Sequence, residues 1–424
     1  MPADSPAPVP RSAPAEPALD VAETACCIAG GGPAGAMLSL LLARRGVRVI
    51  LLEMHRDFER QFRGDTVHPS TLEILDQLGL AGRLLELPHA KVSGPAVLTQ
   101  EGPFAPVDLS RLNTKFPYIA IMHQPLLLEF LVREARLYPH FELRMRAEVT
   151  RLVEVDGVVA GVRYQSEDGC HEVRAALVVG ADGRFSMVRR LAGIEPVKTS
   201  PPMDVLWFRL PKLPEDPEAP GGVLGGIGRG HLLIAIDRRD YWQVGYVIAK
   251  GGYQAARATG LPALRESIAA IEPRFRKHLE SVTDWRQLSL LSVESSRCRQ
   301  WYKPGLLLVG DAAHVMSPVG GVGINYAIQD AVEAANVLAE PLAAGKVEVA
   351  QLAEVQRRRQ WPTRFIQGVQ EFIQKRLITG ALRSTGPLRV PWFVRVFFRI
   401  PIVRDLPARV IGFGIWRVRV ERPQ

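Results

Sequence analysis

The sequence predicts an α/β fold of Rossmann-like type that carries an inserted β-sheet domain and a C-terminal helical segment. Three observations predict it. A glycine-rich turn at residues 30–35 separates a short apolar run from a stretch rich in Ala and Leu. Two further apolar runs, 176–179 and 306–309, each end in glycine followed closely by aspartate. Between them lies a block with the alternation and β-branched content of strands.

Taken in chain order, the first 20 residues hold six Pro and no apolar run, so residues 1–22 are expected to be a disordered leader. A signal peptide needs an apolar core and a transit peptide avoids acids, so neither fits. Residues 25–29 (Ala-Cys-Cys-Ile-Ala) read as a buried strand with Cys26 and Cys27 as small core residues, 34–45 as a helix and 47–53 as a second strand. Such a βαβ unit needs cover on both faces of its parallel strands. Helices are expected at 71–78 and 125–137, and a long one from near Asn325 through Ala331 and Val337. In the central block, 231–236 and 241–248 flank Asp237-Arg238-Arg239-Asp240 and read as a hairpin. The expected organisation is a discontinuous nucleotide-binding domain (23–90, 117–198, 296–345), a β-sheet domain (91–116, 199–295) and a helical, basic segment (346–424).

Composition excludes several classes. At 47% hydrophobic and 23% charged the chain is globular rather than disordered, and Gly and Pro follow no collagen-like period. Four Cys without C-x-x-C spacing make neither a disulfide framework nor a zinc site, so a reducing, cytoplasmic location is expected. Nine His without H-x-x-x-H or H-E-x-x-H spacing give no expectation of metal, and no G-x-S-x-G elbow suggests a hydrolase. No uncharged apolar run reaches the roughly 18 residues of a spanning helix. The net charge is +9, but residues 381–424 hold nine Arg against Asp405 and Glu421, a net of +7, which leaves +2 for the body. That is too little for a polyanionic partner, and no DNA or RNA motif occurs, so nucleic acid is not expected. A helix is expected between Pro391 and Pro401, with Arg395 and Arg399 on one face and Phe393, Phe397 and Ile400 on another. Two readings stand side by side: peripheral membrane contact through residues 390–420, or packing of the tail on the domain or a partner subunit. Oligomeric state is not specified by the sequence.

The glycine turn matches G-x-G-x-x-G as Gly30-Gly31-Gly32-Pro33-Ala34-Gly35. Gly30 permits the tight turn, and Gly32 lets a pyrophosphate approach the backbone. Ala34 and Gly35 open the helix, with Gly35 allowing close packing on the strand. Glu53 lies 21 residues beyond Gly32 at the end of the second strand, where an acid accepts hydrogen bonds from ribose hydroxyls. A dinucleotide site follows, and this motif does not distinguish NAD from FAD. The second motif is residues 176–189, a strand, an Asp182-Gly183 turn, then Ser186 and Arg189 at a helix start. The third is residues 306–314, a strand ending in Gly310-Asp311, followed by Pro318, Gly320, Gly321, Gly323 and Asn325.

With all three motifs in this order, residues 25–345 resemble the flavin-dependent aromatic hydroxylase superfamily, the single-component FAD monooxygenases typified by para-hydroxybenzoate hydroxylase. The resemblance implies FAD as cofactor and NADH or NADPH as a transiently docked co-substrate. It places Asp311 on the ribityl chain and Asp182 near FAD and the nicotinamide nucleotide, with Arg189 a further candidate. The loop 318–323 would lie beside the isoalloxazine ring, and Gly323, Ile324 and Asn325 would turn a helix N-terminus toward it. Phe62-Arg63-Gly64 resembles the family's Arg-x-Gly segment, whose arginine contacts FAD phosphate or ring, and Gln124 matches a cofactor-contacting glutamine. The β block would bind substrate, with Trp207, Arg209, Leu233, Tyr246 and Pro318 as candidate pocket residues; for each, plain sheet packing is the alternative. His314 is expected to pack or hydrogen-bond, and His68 to be a loop histidine or to face substrate. No residue is named as a catalyst. The implied activity is insertion of one oxygen atom from O₂, through a flavin C4a-hydroperoxide, into a small lipophilic aromatic or quinone/quinolone-like substrate, by hydroxylation or ring epoxidation. The alternatives are a flavin-dependent reductase of isoprenoid or lipid double bonds and a non-catalytic flavin-binding module. Halogenation is disfavoured, because Trp207-Phe208-Arg209-Leu210-Pro211 departs from W-x-W-x-I-P.

Overall fold

A computed structural model describes residues 20–59, 65–94, 96–99, 102–104, 107–199, 201–216, 222–228, 230–238, 240–378 and 400–421. Arg63, Gly64 and the expected helix at 391–400, apart from its last residue, lie outside the described residues. The strand Asp20–Ala29 begins before Ala25 because its long partner Gly169–Gly180 offers parallel pairing from Asp20↔His171 to Ala29↔Gly180. The order of the main sheet is Tyr302–Lys303, Leu306–Leu308, Gly169–Gly180, Asp20–Ala29, Val49–Glu53, Phe141–Met145. Its core strands run parallel and are buried on both faces, which is why Cys26-Cys27-Ile28 and Ile50-Leu51-Leu52 carry no alternation. One face is covered by the helices Pro33–Arg44, Gln124–Ala135 and Gly323–Ala343. The antiparallel strands Glu148–Val155 and Val158–Ser166 branch from Gly169–Gly180 and cover the other, packing Val162 and Tyr164 with Cys27 and Ile50.

Among the described residues the second sheet has seven strands, with Met203–Pro211, Tyr241–Ala249, His231–Asp237 and Val223–Gly228 at its centre. The expected hairpin is present, with Leu232↔Val247 and Ile236↔Gln243 in register. One face of this sheet (Leu206, Phe208, Leu233, Val244, Tyr246) packs on the helix Tyr253–Ile271. The other face carries Val205 and Trp207 and meets Val319 of the first domain.

The C-terminal part wraps the nucleotide domain. The helix Val349–Ile373 packs along Gly323–Ala343. Pro401, expected to stop a helix, opens the helix Pro401–Phe413, as suits a residue with no N–H to satisfy at a first turn. Ala408 and Phe413 are buried against Leu109, Leu112 and Ile121, and Val418 joins the main core. Glu421 accepts from Arg45 through its carbonyl and from Arg358 through its carboxylate. Residues 400–421 therefore follow the packing reading of the tail. Among the described residues no helix is long and apolar enough to cross a membrane.

Candidate functional site

All three turns meet at the carboxyl edge of the parallel sheet, where open α/β sheets bind ligands. Gly30 takes φ +103°, and a Cβ there would sit 2.5 Å from the Ala181 carbonyl oxygen, next to Asp182. A Cβ on Gly35 would lie 2.0 Å from the Gly30 carbonyl oxygen, so glycine is required for the helix to close on the strand. Gly32, the residue before the helix Pro33–Arg44, is different: a Cβ would meet only the Ala181 oxygen, at 3.9 Å. The protein leaves that side open, and an open backbone at a helix N-terminus is what a pyrophosphate needs. Ala34 Cβ lies 3.2 Å from a Cβ built on Gly310, so the first and third turns are in contact.

Glu53 is buried, and its Oε2 accepts the Gly31 N–H at 2.9 Å while Oε1 accepts the His55 N–H at 2.9 Å. It thus fixes the shape of the glycine loop from the position assigned to a ribose contact. Asp182 Oδ2 accepts from Val188 N–H at 3.0 Å, and burial pushes its carboxyl above the ordinary range. Arg189, buried, donates to the Ala312 and Arg184 carbonyls at 2.9 Å each, so it ties the second turn to the third. Asp311 lies half-buried in the turn Gly310–Ala312.

The loop after it is held from beneath. Asn325 Oδ1 accepts from His68 N–H and Thr71 Oγ1 at 2.8 Å each, while its Nδ2 donates to the Thr66 and Gly321 carbonyls at 3.1 and 3.3 Å. Its side chain is occupied in joining two segments, which leaves the backbone of Gly323, Ile324 and Asn325 as the part that can face a cofactor. His68 is fully buried, bonds the Ile411 carbonyl through Nδ1 at 2.8 Å, and is pushed by burial down to about 4. That places it in the scaffold rather than facing substrate.

Gln124 opens the helix Gln124–Ala135 and lines a cavity of about 440 Å³ at the seam between the two sheets, together with Asp65, His123, Arg209, Tyr241 and Gln243. Tyr241 Oη lies 3.2 Å from His123 Nε2, and the Arg209 guanidinium sits 4.9 Å from the Tyr241 ring centroid. Arg238 donates to Asp65 Oδ2 at 2.9 Å across the seam; burial nevertheless pushes the Asp65 carboxyl up. Burial lowers His123, and the nearby Arg238 and Arg209 lower it further, so its imidazole favours the neutral form.

The expected substrate residues separate into two groups. Trp207 and Arg209 share a face with Gly245 and Gln243, and Trp207 packs with the cluster that includes Val319 beside exposed Pro318. Leu233 and Tyr246 pair with each other on the opposite face, in the core beneath the helix Tyr253–Ile271, and Tyr246 Oη is bonded to Ser267 at 2.7 Å. They do not share a pocket with Trp207; strand parity places them a sheet's thickness away. Sequence reasoning also missed Asp330 and Arg359. Asp330 Oδ2 accepts the Gly310 N–H at 3.0 Å and lies 2.6 Å from His314 Nε2, while Oδ1 accepts from Arg359 Nε at 2.7 Å. Burial raises the Asp330 carboxyl, but His314 and Arg359 together outweigh it and hold it below the ordinary range. The available signal was a lone acid between Ala327, Ile328, Ala331 and Val332 on an apolar helix. Among the described residues no group of three or more His, Cys, Asp and Glu could hold a metal.

The fold and the three converging turns define an FAD-binding protein of the aromatic hydroxylase type. The profile of the FAD binding domain family matches residues 23–367, and the chain belongs to that family, within the FAD-dependent aromatic hydroxylase superfamily. Among known proteins it is 34% identical over 406 residues to the 6-methylpretetramide 4-monooxygenase of Streptomyces rimosus, covering 95% of this chain and 96% of that one. The OxyS anhydrotetracycline hydroxylase of Streptomyces rimosus superposes with a TM-score of 0.72 at 25% identity, over 92% of this chain and 76% of that one. PqsL of P. aeruginosa in complex with 2-aminobenzoylacetate, at 20% identity and a TM-score of 0.74 over 85% of this chain and 100% of that one, shares the fold. The chain is an FAD-dependent monooxygenase.

Proposed function

We propose that the enzyme consumes NADH or NADPH and inserts one oxygen atom from O₂ into a lipophilic aromatic or quinone/quinolone-like substrate, by hydroxylation or ring epoxidation. The carrying observation is the convergence of the glycine, Asp-Gly and Gly-Asp turns on one crevice whose Gly32 side is open. The extended similarity to a 6-methylpretetramide monooxygenase supports secondary metabolism and makes compounds of the pretetramide and tetracycline class the first substrates to try. When bound, FAD would supply hydride acceptance from NAD(P)H and activation of O₂.

This chain's residues supply position. Gly30, Gly32, Ala34 and Gly35 present the helix N-terminus to the pyrophosphate. Glu53 and Asp311 would take ribose and ribityl hydroxyls, Asp182 would serve FAD and the nicotinamide nucleotide, and Gln124 would contact the cofactor. Arg63-Gly64, outside the described residues, are assigned to it by the family resemblance alone. The backbone at Gly323, Ile324 and Asn325 would hold the pyrimidine edge of the flavin. Trp207, Arg209 and Pro318 would line the substrate side. With residues 400–421 packed on the domain, the membrane reading of the tail rests on residues 390–399, and a cytoplasmic enzyme is the working assignment.

The test is NAD(P)H oxidation by the purified yellow protein under isotopically labelled O₂, with mass spectrometry of the product. One labelled oxygen per product is expected. Substrate-dependent NAD(P)H oxidation that proceeds without O₂ and yields a saturated product would instead establish the reductase.

A further inference from the structure

We propose that Gln370, on the helix Val349–Ile373, is a positioning residue that aims the amides of the loop 318–323 at the flavin; this rests on the FAD reading of that loop.

Gln370 lies beyond the last residue matched by the family profile and is buried. Its Nε2 donates to two carbonyls of the loop and its approach, Ser317 at 2.9 Å and Val319 at 2.8 Å. Both acceptors are carbonyls, so the amide nitrogen and not Oε1 must face them. The neighbours of Gln370 one turn before and one turn after it act alike. Gln374 donates to Ser317 Oγ, and Gln367 donates to the Val315 carbonyl at 3.1 Å and the Ser296 carbonyl at 2.9 Å. Two glutamines of this helix and a third just past its end therefore grip the segment that leads into the loop.

The consequence follows from the planar trans peptide, in which C=O and N–H point in opposite directions. With the Val319 carbonyl drawn toward the helix, the Gly320 N–H must point away from it. The Gly321 carbonyl is taken by Thr66 Oγ1 at 2.7 Å and Asn325 Nδ2 at 3.3 Å, which turns the Val322 N–H away from those two donors. The Pro318 carbonyl accepts from Gly321 N–H at 3.0 Å. Gly320 and Gly321 take φ +81° and +63°, the left-handed region that two successive turned peptides require. The Val319 and Gly321 carbonyls are thus pinned by donors. With Val319 N–H on Ser317 Oγ and Gly321 N–H on the Pro318 carbonyl, the Gly320 and Val322 amides are the ones left for the negative charge that reduction places on the pyrimidine ring.

The test compares Gln370→Leu with Gln356→Leu, which removes a similarly buried glutamine of the same helix that bonds Trp301 N and the Arg299 carbonyl, away from the loop. The readouts are the midpoint potential of bound FAD and hydrogen exchange of residues 319–322 in the apoprotein. Q370L should still bind oxidised FAD, but the preference for reduced over oxidised flavin should fall by about tenfold, the equivalent of one misaligned hydrogen bond to charge. Its loop amides should exchange faster. Q356L should change neither quantity. A Q370L protein with wild-type potential, or a Q356L protein with the same shift, overturns the proposal. Should Q370L fail to fold, Gln374→Leu, which loosens Ser317 from the same side, carries the same expectation in smaller measure. A wild-type protein that binds no flavin would sink the FAD reading itself, an outcome distinct from an unshifted variant.

Discussion

Replacing Arg359 by Met tests whether the Gly-Asp turn rests on a buried charge network. Arg359 is 1% exposed and Asp330 is wholly buried, so the pair has no solvent to fall back on. Removing the guanidinium leaves Asp330 Oδ1 without its partner while Oδ2 keeps His314 and the Gly310 N–H, and breaking a buried pair in this way costs about 3–5 kcal/mol. Loss of the guanidinium 5.3 Å from the Tyr326 ring acts in the same direction. Urea unfolding of the apoprotein, with the FAD dissociation constant measured alongside, is the assay. Arg357→Met on the same helix is the reference, since Arg357 pairs with Glu354 at the surface and should leave the midpoint unmoved. Because Asp330 also holds the Gly310 N–H, FAD affinity should fall with stability in Arg359→Met. The double variant Arg359→Met/Asp330→Leu should recover at least about 2 kcal/mol relative to the sum of the singles, since an apolar replacement removes the stranded charge. An Arg359→Met protein that unfolds within about 1 kcal/mol of wild type, or a cycle without coupling, would refute the account.

The fully buried His68, held down to about 4, refuses a proton that the unfolded chain accepts below about pH 6.5. Its contribution is therefore neutral above pH 6.5 and destabilising by roughly 3 kcal/mol by pH 4, and His68→Gln should flatten that part of the stability–pH curve; an unchanged slope would contradict it. Gly30→Ala should unfold easily, with a Cβ 2.5 Å from a carbonyl oxygen at φ +103°, whereas Gly32→Val should keep apoprotein stability and lose FAD affinity. Equal stability losses in both would mean that Gly32 is a folding residue only. Leu233→Ala should cost about 2–5 kcal/mol of stability with KM unchanged, as befits a core position. Arg209→Met should do the reverse, raising KM with little change in unfolding; a KM effect in Leu233→Ala would return that residue to the pocket.

What was legible in this chain is what is encoded locally. A G-x-G-x-x-G turn, an acid at a strand end and two glycine-aspartate turns each declare themselves within a dozen residues, because glycine's conformational freedom is needed at a fixed place. The parallel sheet followed from the same runs, since strands buried on both faces lose alternation. What stayed hidden depends on pairing across the chain. Trp207 and Tyr246 were both plausible pocket residues until the register Leu206↔Tyr246 put them on opposite faces, and a one-residue difference in register would have reversed the assignment. Asp330, Arg359 and Gln370 failed to show for another reason. A charged or amide side chain on a helix reads as solvated by default, and only the partner's position converts it into a buried strut. In the tail, Arg417 and Glu421, for which the sequence left membrane contact and packing both open, bond Glu73 and Arg358 of the body. Of the nine arginines in residues 381–424, Arg417 is paired with an acid of the body, so a charge counted along the sequence is not all offered by the folded surface.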